Sequence, residues 1–248
     1  MPDAPRTASL PACLGPWLNA WPWAEALPGA QWLALRYAKS AFTFEAWSQA
    51  AVTPPDALCR AASKRQLEFL AGRLCAREAL NALTGEPHVP VIGAGKAPHW
   101  PAGTVGSITH GGDLAAALVA RVECWRGIGQ DAEALLGEAR AARLAPQILT
   151  PAERHWLETL PTERRGEFIT LAFSLKESLF KALFPLVGVR FYFQDAELTD
   201  WDTASHQATL KLNTTLSDEW PAGRALTGHY AILERYLLSM IAIPARSS

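Results

Sequence analysis

Paired cysteines are missing from this chain. Its 4 cysteines, Cys13, Cys59, Cys75 and Cys124, form no C-x-x-C or other metal spacing, which argues against a structural zinc site or a redox pair. Reduced thiols and a cytoplasmic location are the expectation. Net charge is nearly absent at -1, so no global field draws nucleic acid. No apolar run follows a basic start. Pro2, Pro5, Pro11, Pro16, Pro22 and Pro28 interrupt the opening stretch, and neither a signal peptide nor a membrane span is expected.

What is present is a chain of 248 residues, 49% hydrophobic and 19% charged. That suffices for a full core, in one large domain or two small ones, and does not suggest disorder. Charge is locally uneven. Arg60, Lys64, Arg65, Arg73 and Arg77 form one cluster, and Arg140, Arg143, Arg154, Arg164 and Arg165 another. By themselves these read as solvated helix faces.

Residues 1–57 are rich in Pro and Trp and read as irregular, with a strand at Gln31–Tyr37. Leu67, Leu70 and Leu74 recur at helical spacing, so a helix is predicted over Ser63–Leu83, capped by Ser63 and stopped by Gly85 and Pro87. Residues 86–103 read as a loop. Thr104–His110, Leu114–Val122 and Gly127–Glu133 read as three neighbouring antiparallel strands, the first two joined by a turn at Gly111-Gly112-Asp113. Thr150-Pro151-Ala152-Glu153 is a capping box that opens a helix ending near Leu160. A second helix is predicted over Glu163–Leu183 with Phe168, Leu171, Leu175, Leu179 and Ala182 as its buried stripe, ended by Pro185 and Gly188. Strands then follow at Arg190–Leu198, Thr209–Thr215, Gly228–Arg235 and Leu237–Ile243. Each half thus offers a long helix followed by antiparallel strands.

The chemistry gathers on two of these elements. Asp131 and Glu133 are two apart, so on a strand they share a face. Neighbouring carboxylates repel and call for a cation or a proton. Magnesium takes one or two protein carboxylates together with waters and substrate phosphates. Glu177 is the candidate third acid. With Leu171, Leu175 and Leu179 facing the core, Glu177 and Lys181 lie together on another face of the helix. Their i,i+4 spacing equally permits a surface ion pair worth about 0.3–0.5 kcal/mol, and acids at strand ends are common. Gly127–Ala132 formally matches a dinucleotide fingerprint, but the residues before it make a poor buried strand. Gly93-Ala94-Gly95-Lys96 lacks the first glycine and the hydroxyl residue of a P-loop. Ser107 is in no nucleophile elbow. His110 adjoins Gly111-Gly112, where backbone can approach a phosphate closely.

Taken together, Lys64–Arg77, Ala97–His110, Gly127–Glu133 and Leu171–Leu186 resemble the 4′-phosphopantetheinyl transferases of the enterobactin-synthase-component-D and surfactin type, in that family's order and spacing. The resemblance is closest to the broad-specificity enzymes of pseudomonads. It implies transfer of the phosphopantetheine arm of coenzyme A to a serine of acyl, peptidyl or polyketide carriers, with Mg2+ as cofactor and adenosine 3′,5′-bisphosphate released. It implies an α+β, pseudo-twofold monomer of two similar halves, 1–130 and 131–248, that binds no nucleic acid or membrane. By position, Asp131, Glu133 and Glu177 match the metal ligands. Glu177 matches the base, and Lys181 a diphosphate contact that steadies the leaving group. Thr109 and His110 match a coenzyme A phosphate contact, Lys96, Ala97 and Pro98 the adenine loop, and Arg65 and Arg73 the basic residues near the 3′-phosphate. Gln130 and Ala132 stand where the family usually has aliphatic residues, a change expected to loosen packing more than chemistry. A coenzyme A-binding module without catalysis, or a docking partner of a synthase, would use the same residues differently. Only an enzyme needs the third acid.

Overall fold

The computed structural model describes residues 10–246. Strands β1 (Leu14–Leu18) and β2 (Ala30–Tyr37) are followed by two single-turn helices, α1 (Ala46–Gln49) and α2 (Asp56–Cys59), and by the long α3 (Ser63–Thr84). A small hairpin, β3 (Val91–Ile92) with β4 (Pro98–His99), precedes β5 (Thr104–Gly111) and β6 (Leu114–Arg121). The second half begins with β7 (Trp125–Ala134), then α4 (Glu138–Ile148), α5 (Pro151–Thr159) and the long α6 (Thr162–Val187). It closes with β8 (Ala196–Asp202), β9 (Gln207–Leu212), β10 (Ala225–Leu233) and β11 (Tyr236–Pro244).

Apart from the β3–β4 hairpin, the strands form two antiparallel sheets, in the orders β1-β2-β6-β5 and β7-β11-β10-β9-β8. Their side chains sort into three cores. Leu67, Leu70 and Leu74 of α3 bury against Leu35, Ala115, Ala117 and Val119. Leu171, Leu175 and Leu179 of α6 bury against Leu210, Leu237 and Ile241. Between the sheets, Trp23, Trp32, Leu114 and Leu118 of the first half meet Ile128, Ala132, Leu238 and Met240 of the second. The layers therefore run helix, sheet, sheet, helix. Alternate residues of β6 serve two different cores, which is why its Leu-Ala-Ala-Ala-Leu-Val-Ala run is apolar throughout and buried on both faces.

Several predicted boundaries change. The cap of α3 is Ala62, which offers no side-chain acceptor, and Ser63 is already helical. Part of the 86–103 loop pairs as the β3–β4 hairpin. β5 and β6 pair as expected, but β7 leaves them and pairs with β11 in the other sheet. Pro185 does not end α6. The helix runs on to Val187 and stops at Gly188, because a proline in the last turn forfeits only one closing bond. Residues 190–195 form a loop and a single turn, and the strand begins only at Ala196. α4 has no counterpart among the helices expected from the sequence. Its Ala141, Ala145 and Ile148 lie at helical spacing and are buried, with Pro146 near its C-terminal end. The capping box of α5 is present in full, Thr150 accepting from the Glu153 N–H and Glu153 from the Thr150 N–H. Among the described residues, no helix is long and apolar enough to cross a membrane.

The edges of the two sheets meet at β5 and β7 without a backbone ladder. Outward N–H groups of an edge strand need acceptors once buried. On β7 the Gln130 N–H donates to Ser107 Oγ at 3.0 Å and the Ala132 N–H to Thr109 Oγ1 at 3.2 Å. Gln130 adds two bonds of its own, donating from Nε2 to the Ser107 carbonyl and accepting from Trp32 Nε1, each at 3.0 Å. The expected loosening at Gln130 is therefore not found. Its amide is buried and satisfied, and it ties one half to the other.

Candidate active site

Two glycines set the site. On β7, residues 127, 129, 131 and 133 point toward α6. A side chain at Gly129 would collide with the Ser178 carbonyl, and one at Gly127 with the Ala182 carbonyl. With hydrogen at both, the α6 backbone lies almost on the strand. The buried hydroxyls of Ser174 and Ser178 bond to Ser239 of β11 at 2.7 and 2.8 Å and hold the register. This contact carries Glu177 and Lys181 over the strand end that bears Asp131 and Glu133.

Asp131 is the hub, only 5% exposed. Its Oδ1 accepts from Lys181 Nζ at 2.6 Å and from Thr109 Oγ1 at 3.0 Å. Lys181 Nζ also donates to the Gln130 carbonyl at 3.1 Å. Asp131 Oδ2 is buried and has no partner among the described residues. Lys181 thus pairs with Asp131, not with Glu177 one turn away. Burial first, and then repulsion from Asp131 and Glu177, push the Glu133 carboxyl up to about 7, with Lys181 and Arg140 easing it. The Glu177 carboxyl is also raised, by burial first and then by Asp131, against the pull of Lys181. The three acids therefore feel one another. Among the described residues, no three His, Cys, Asp or Glu side chains stand close enough together to hold a metal as they are. Lys181 is the cation paired with Asp131.

His110 sits at the end of β5 beside this cluster. Arg65 of α3 reaches its Nε2 at 3.1 Å, and Glu68 lies 3.8 Å from its Nδ1. An arginine only donates, so Nε2 is an acceptor and the proton of the neutral ring faces Glu68. Burial is the main cause holding His110 below its usual range; Glu68 and Asp131 oppose the shift, while Arg65 and Lys181 add to it. Arg73 is buried, its guanidinium 4.5 Å over the Phe69 ring and its Nε without a partner among the described residues. Burial and the neighbouring Arg65 lower its pKa to about 10. Lys96, Ala97 and Pro98 follow Gly95, which packs against the Phe184 ring of α6, one turn beyond Lys181.

One expectation shifts in detail. The Thr109 hydroxyl is turned inward to Asp131 and Ala132, not outward to a phosphate. Glu68, not singled out in the sequence, and Arg140, read there only as part of a solvated basic cluster, stand within electrostatic reach of His110 and Glu133 respectively. For Glu68 the available signal was its i,i+3 place after Arg65 on a helix.

Residues 54–120 match the family model of the 4'-phosphopantetheinyl transferase N-terminal domain, and residues 127–237 that of the 4'-phosphopantetheinyl transferase superfamily. The chain is 38% identical over 194 residues to 4'-phosphopantetheinyl transferase Svp of Streptomyces mobaraensis, covering 76% of each chain. It is 34% identical over 197 residues to 4'-phosphopantetheinyl transferase Npt of Nocardia iowensis, covering 75% of this chain and 85% of that one. Enterobactin synthase component D of Escherichia coli is 42% identical over 145 residues, 58% of this chain and 66% of that one. With two relatives matched over most of their length and both halves matched in order, the chain belongs to the 4'-phosphopantetheinyl transferases, which move the phosphopantetheine arm of coenzyme A onto carrier proteins.

Proposed function

We propose that Asp131, Glu133 and Glu177 hold a magnesium ion together with the diphosphate of coenzyme A, and that Glu177 accepts the proton of the carrier serine. The observation that carries this reading is the buried, unpartnered Oδ2 of Asp131 beside two acids whose carboxyls are raised by burial and mutual repulsion. A divalent cation relieves both costs. Magnesium needs only one or two protein carboxylates when phosphates complete its shell, so a closed three-acid cage is unnecessary. Bound there, it would neutralise charge on the diphosphate.

The chain's own groups then divide the work. The serine hydroxyl oxygen bonds to the β-phosphorus, and the bond from that phosphorus to the bridging oxygen of the diphosphate breaks. Adenosine 3′,5′-bisphosphate leaves with the bond's electrons, and the serine proton passes to Glu177. A raised carboxyl suits a base working near neutral pH. Lys181 steadies the leaving diphosphate as a charge fixed before reaction begins. His110, backed by Arg65, contacts a coenzyme phosphate. Arg65 and Arg73 meet the 3′-phosphate, a role supported by Arg73 having no ion-pair partner among the described residues. Lys96, Ala97 and Pro98 border the adenine. On this reading the first half supplies the coenzyme-facing loop and the second the catalytic helix, and the division falls before β7 (Trp125–Ala134), since a boundary at 130/131 would cut that strand. The exposed Arg140 and Arg143 steer a carrier that is acidic around its serine, and the enzyme acts as a cytoplasmic monomer.

The test is Glu177→Gln, incubated with an apo carrier, coenzyme A and Mg2+. The carrier's mass should stay that of the apo form, while calorimetry still records coenzyme A binding. An unchanged rate of mass gain overturns the role of Glu177.

A further inference from the structure

We infer that Thr109 is a positioning residue for Asp131, reaching across from the first half to aim the carboxylate. This rests on the reading of Asp131 as a cation ligand. Thr109 lies on β5 and is 3% exposed. Both polar contacts of its hydroxyl go to β7. It accepts from the Ala132 N–H at 3.2 Å and donates to Asp131 Oδ1 at 3.0 Å. The two bonds use different parts of the hydroxyl. One of the hydroxyl's two lone pairs takes the backbone N–H, and because a carboxylate oxygen accepts, the single hydroxyl hydrogen points at Asp131. A β-branched side chain between packed strands holds one rotamer, so the aim is fixed before any ligand arrives.

The outcome is an asymmetric carboxylate. Oδ1 carries both Lys181 and Thr109, and Oδ2 carries nothing among the described residues. Lys181 alone could not enforce this, since its flexible stem can follow the carboxylate as it rotates. Thr109 is attached to a different sheet and cannot follow. Partners that orient ligating carboxylates typically govern 10–100-fold in metal affinity.

Ser107, two residues earlier on the same strand, provides an internal control. Its hydroxyl accepts from the Gln130 N–H at 3.0 Å in the same edge-to-edge role but touches no carboxylate. Losing Ser107 should therefore cost the seam between the sheets without disturbing Asp131.

The experiment measures Mn2+ affinity by electron paramagnetic resonance on the full chain with coenzyme A and no carrier, so that no turnover occurs. Thermal unfolding is recorded alongside. Thr109→Val should weaken Mn2+ binding by about 10–100-fold, Thr109→Ser should restore it, and Ser107→Ala should lower the melting temperature while binding Mn2+ like the parent. Thr109→Ala, which leaves room for a water at the Ala132 N–H, carries the same expectation should the valine variant not fold. If Thr109→Val binds Mn2+ like the parent while Asp131→Asn does not, the positioning role is refuted and the cation site stands. If Asp131→Asn binds as tightly as the parent, the cation reading fails and this inference falls with it.

Discussion

Lys176 shows what one residue does beside the proposed base without joining it. It precedes Glu177 on α6 but points the opposite way, into the core. Its ammonium donates to Glu153 Oε2 at 2.6 Å and to the Ile148 carbonyl at 2.9 Å. Glu153 is satisfied further by the N–H groups of Thr150 and Leu198, at 2.7 and 2.6 Å. One carboxylate thus completes the α5 cap, receives the start of β8 and anchors α6. Burial holds the Lys176 ammonium below its usual range, against the pull of Glu153. Removing one member of such a pair strands the other charge. Lys176→Met should lower unfolding stability in urea by about 3–5 kcal/mol. A drop of a few tenths would mean that the backbone donors to Glu153 suffice. Adding Glu153→Gln to Lys176→Met should recover much of the loss, since no buried charge then remains.

At the scale of elements, the decisive contact is α6 on β7. A helix normally keeps its side chains' distance from a sheet, yet here two glycines remove the spacer. Gly129→Ala places a methyl group against the Ser178 carbonyl, so the helix must lift. Overpacking of this kind costs about 1–3 kcal/mol. Lifting α6 also withdraws Glu177 and Lys181 from Asp131, so carrier modification should fall far more than the stability loss alone explains. That is checked by comparing transfer rates with the fraction folded at the assay temperature. An alanine variant with full activity would show that α6 has slack. The β5–β7 seam follows the same logic at an edge. Side-chain hydroxyls replace a ladder, so the halves join without merging into one sheet.

At the scale of the whole molecule, the halves are locked by the turn between β5 and β6. Gly111 and Gly112 let it press against the Ala132 carbonyl and the Tyr236 hydroxyl. Asp113 at its tip takes Arg36 at 2.9 Å, Arg235 at 2.8 Å and the Tyr236 hydroxyl. Burial pushes the Asp113 carboxyl up, but Tyr236, Arg235 and Arg36 outweigh it and hold it below the usual range. A folded-state pKa below the unfolded one means that the unfolded chain binds the proton more readily. The stabilisation is therefore present above the ordinary aspartate pKa near 4 and is lost as pH falls through the lower folded value. Asp113→Asn should flatten the acid limb of stability against pH below about pH 4 and leave its shape above pH 6 unaltered. An acid limb identical to the parent's would assign the docking to the apolar core between the sheets.

Local pattern carried much of this protein. The leucine spacing of α3 and α6, the Thr150–Glu153 box and the alternation that puts Asp131 and Glu133 on one face depend on neighbours within a turn or a strand. Composition and periodicity therefore sufficed for them. α4 is harder to read in the sequence, because a proline, Pro146, lies inside it and two of its three buried residues are alanines, which give a weak apolar signal. What chain order could not decide was partnership across long separations. β7 follows β6 but pairs with β11, because only there does its glycine face receive α6 while Ile128 and Ala132 cover the other core. Lys181 answers Asp131, not Glu177, because packing against Gly129 puts a strand carboxylate nearer than one on its own helix. Thr109 faces Asp131 because two sheet edges meet there. The kinds of groups at the site were thus set by local sequence, and which atoms face each other was set by how closely two backbones could approach.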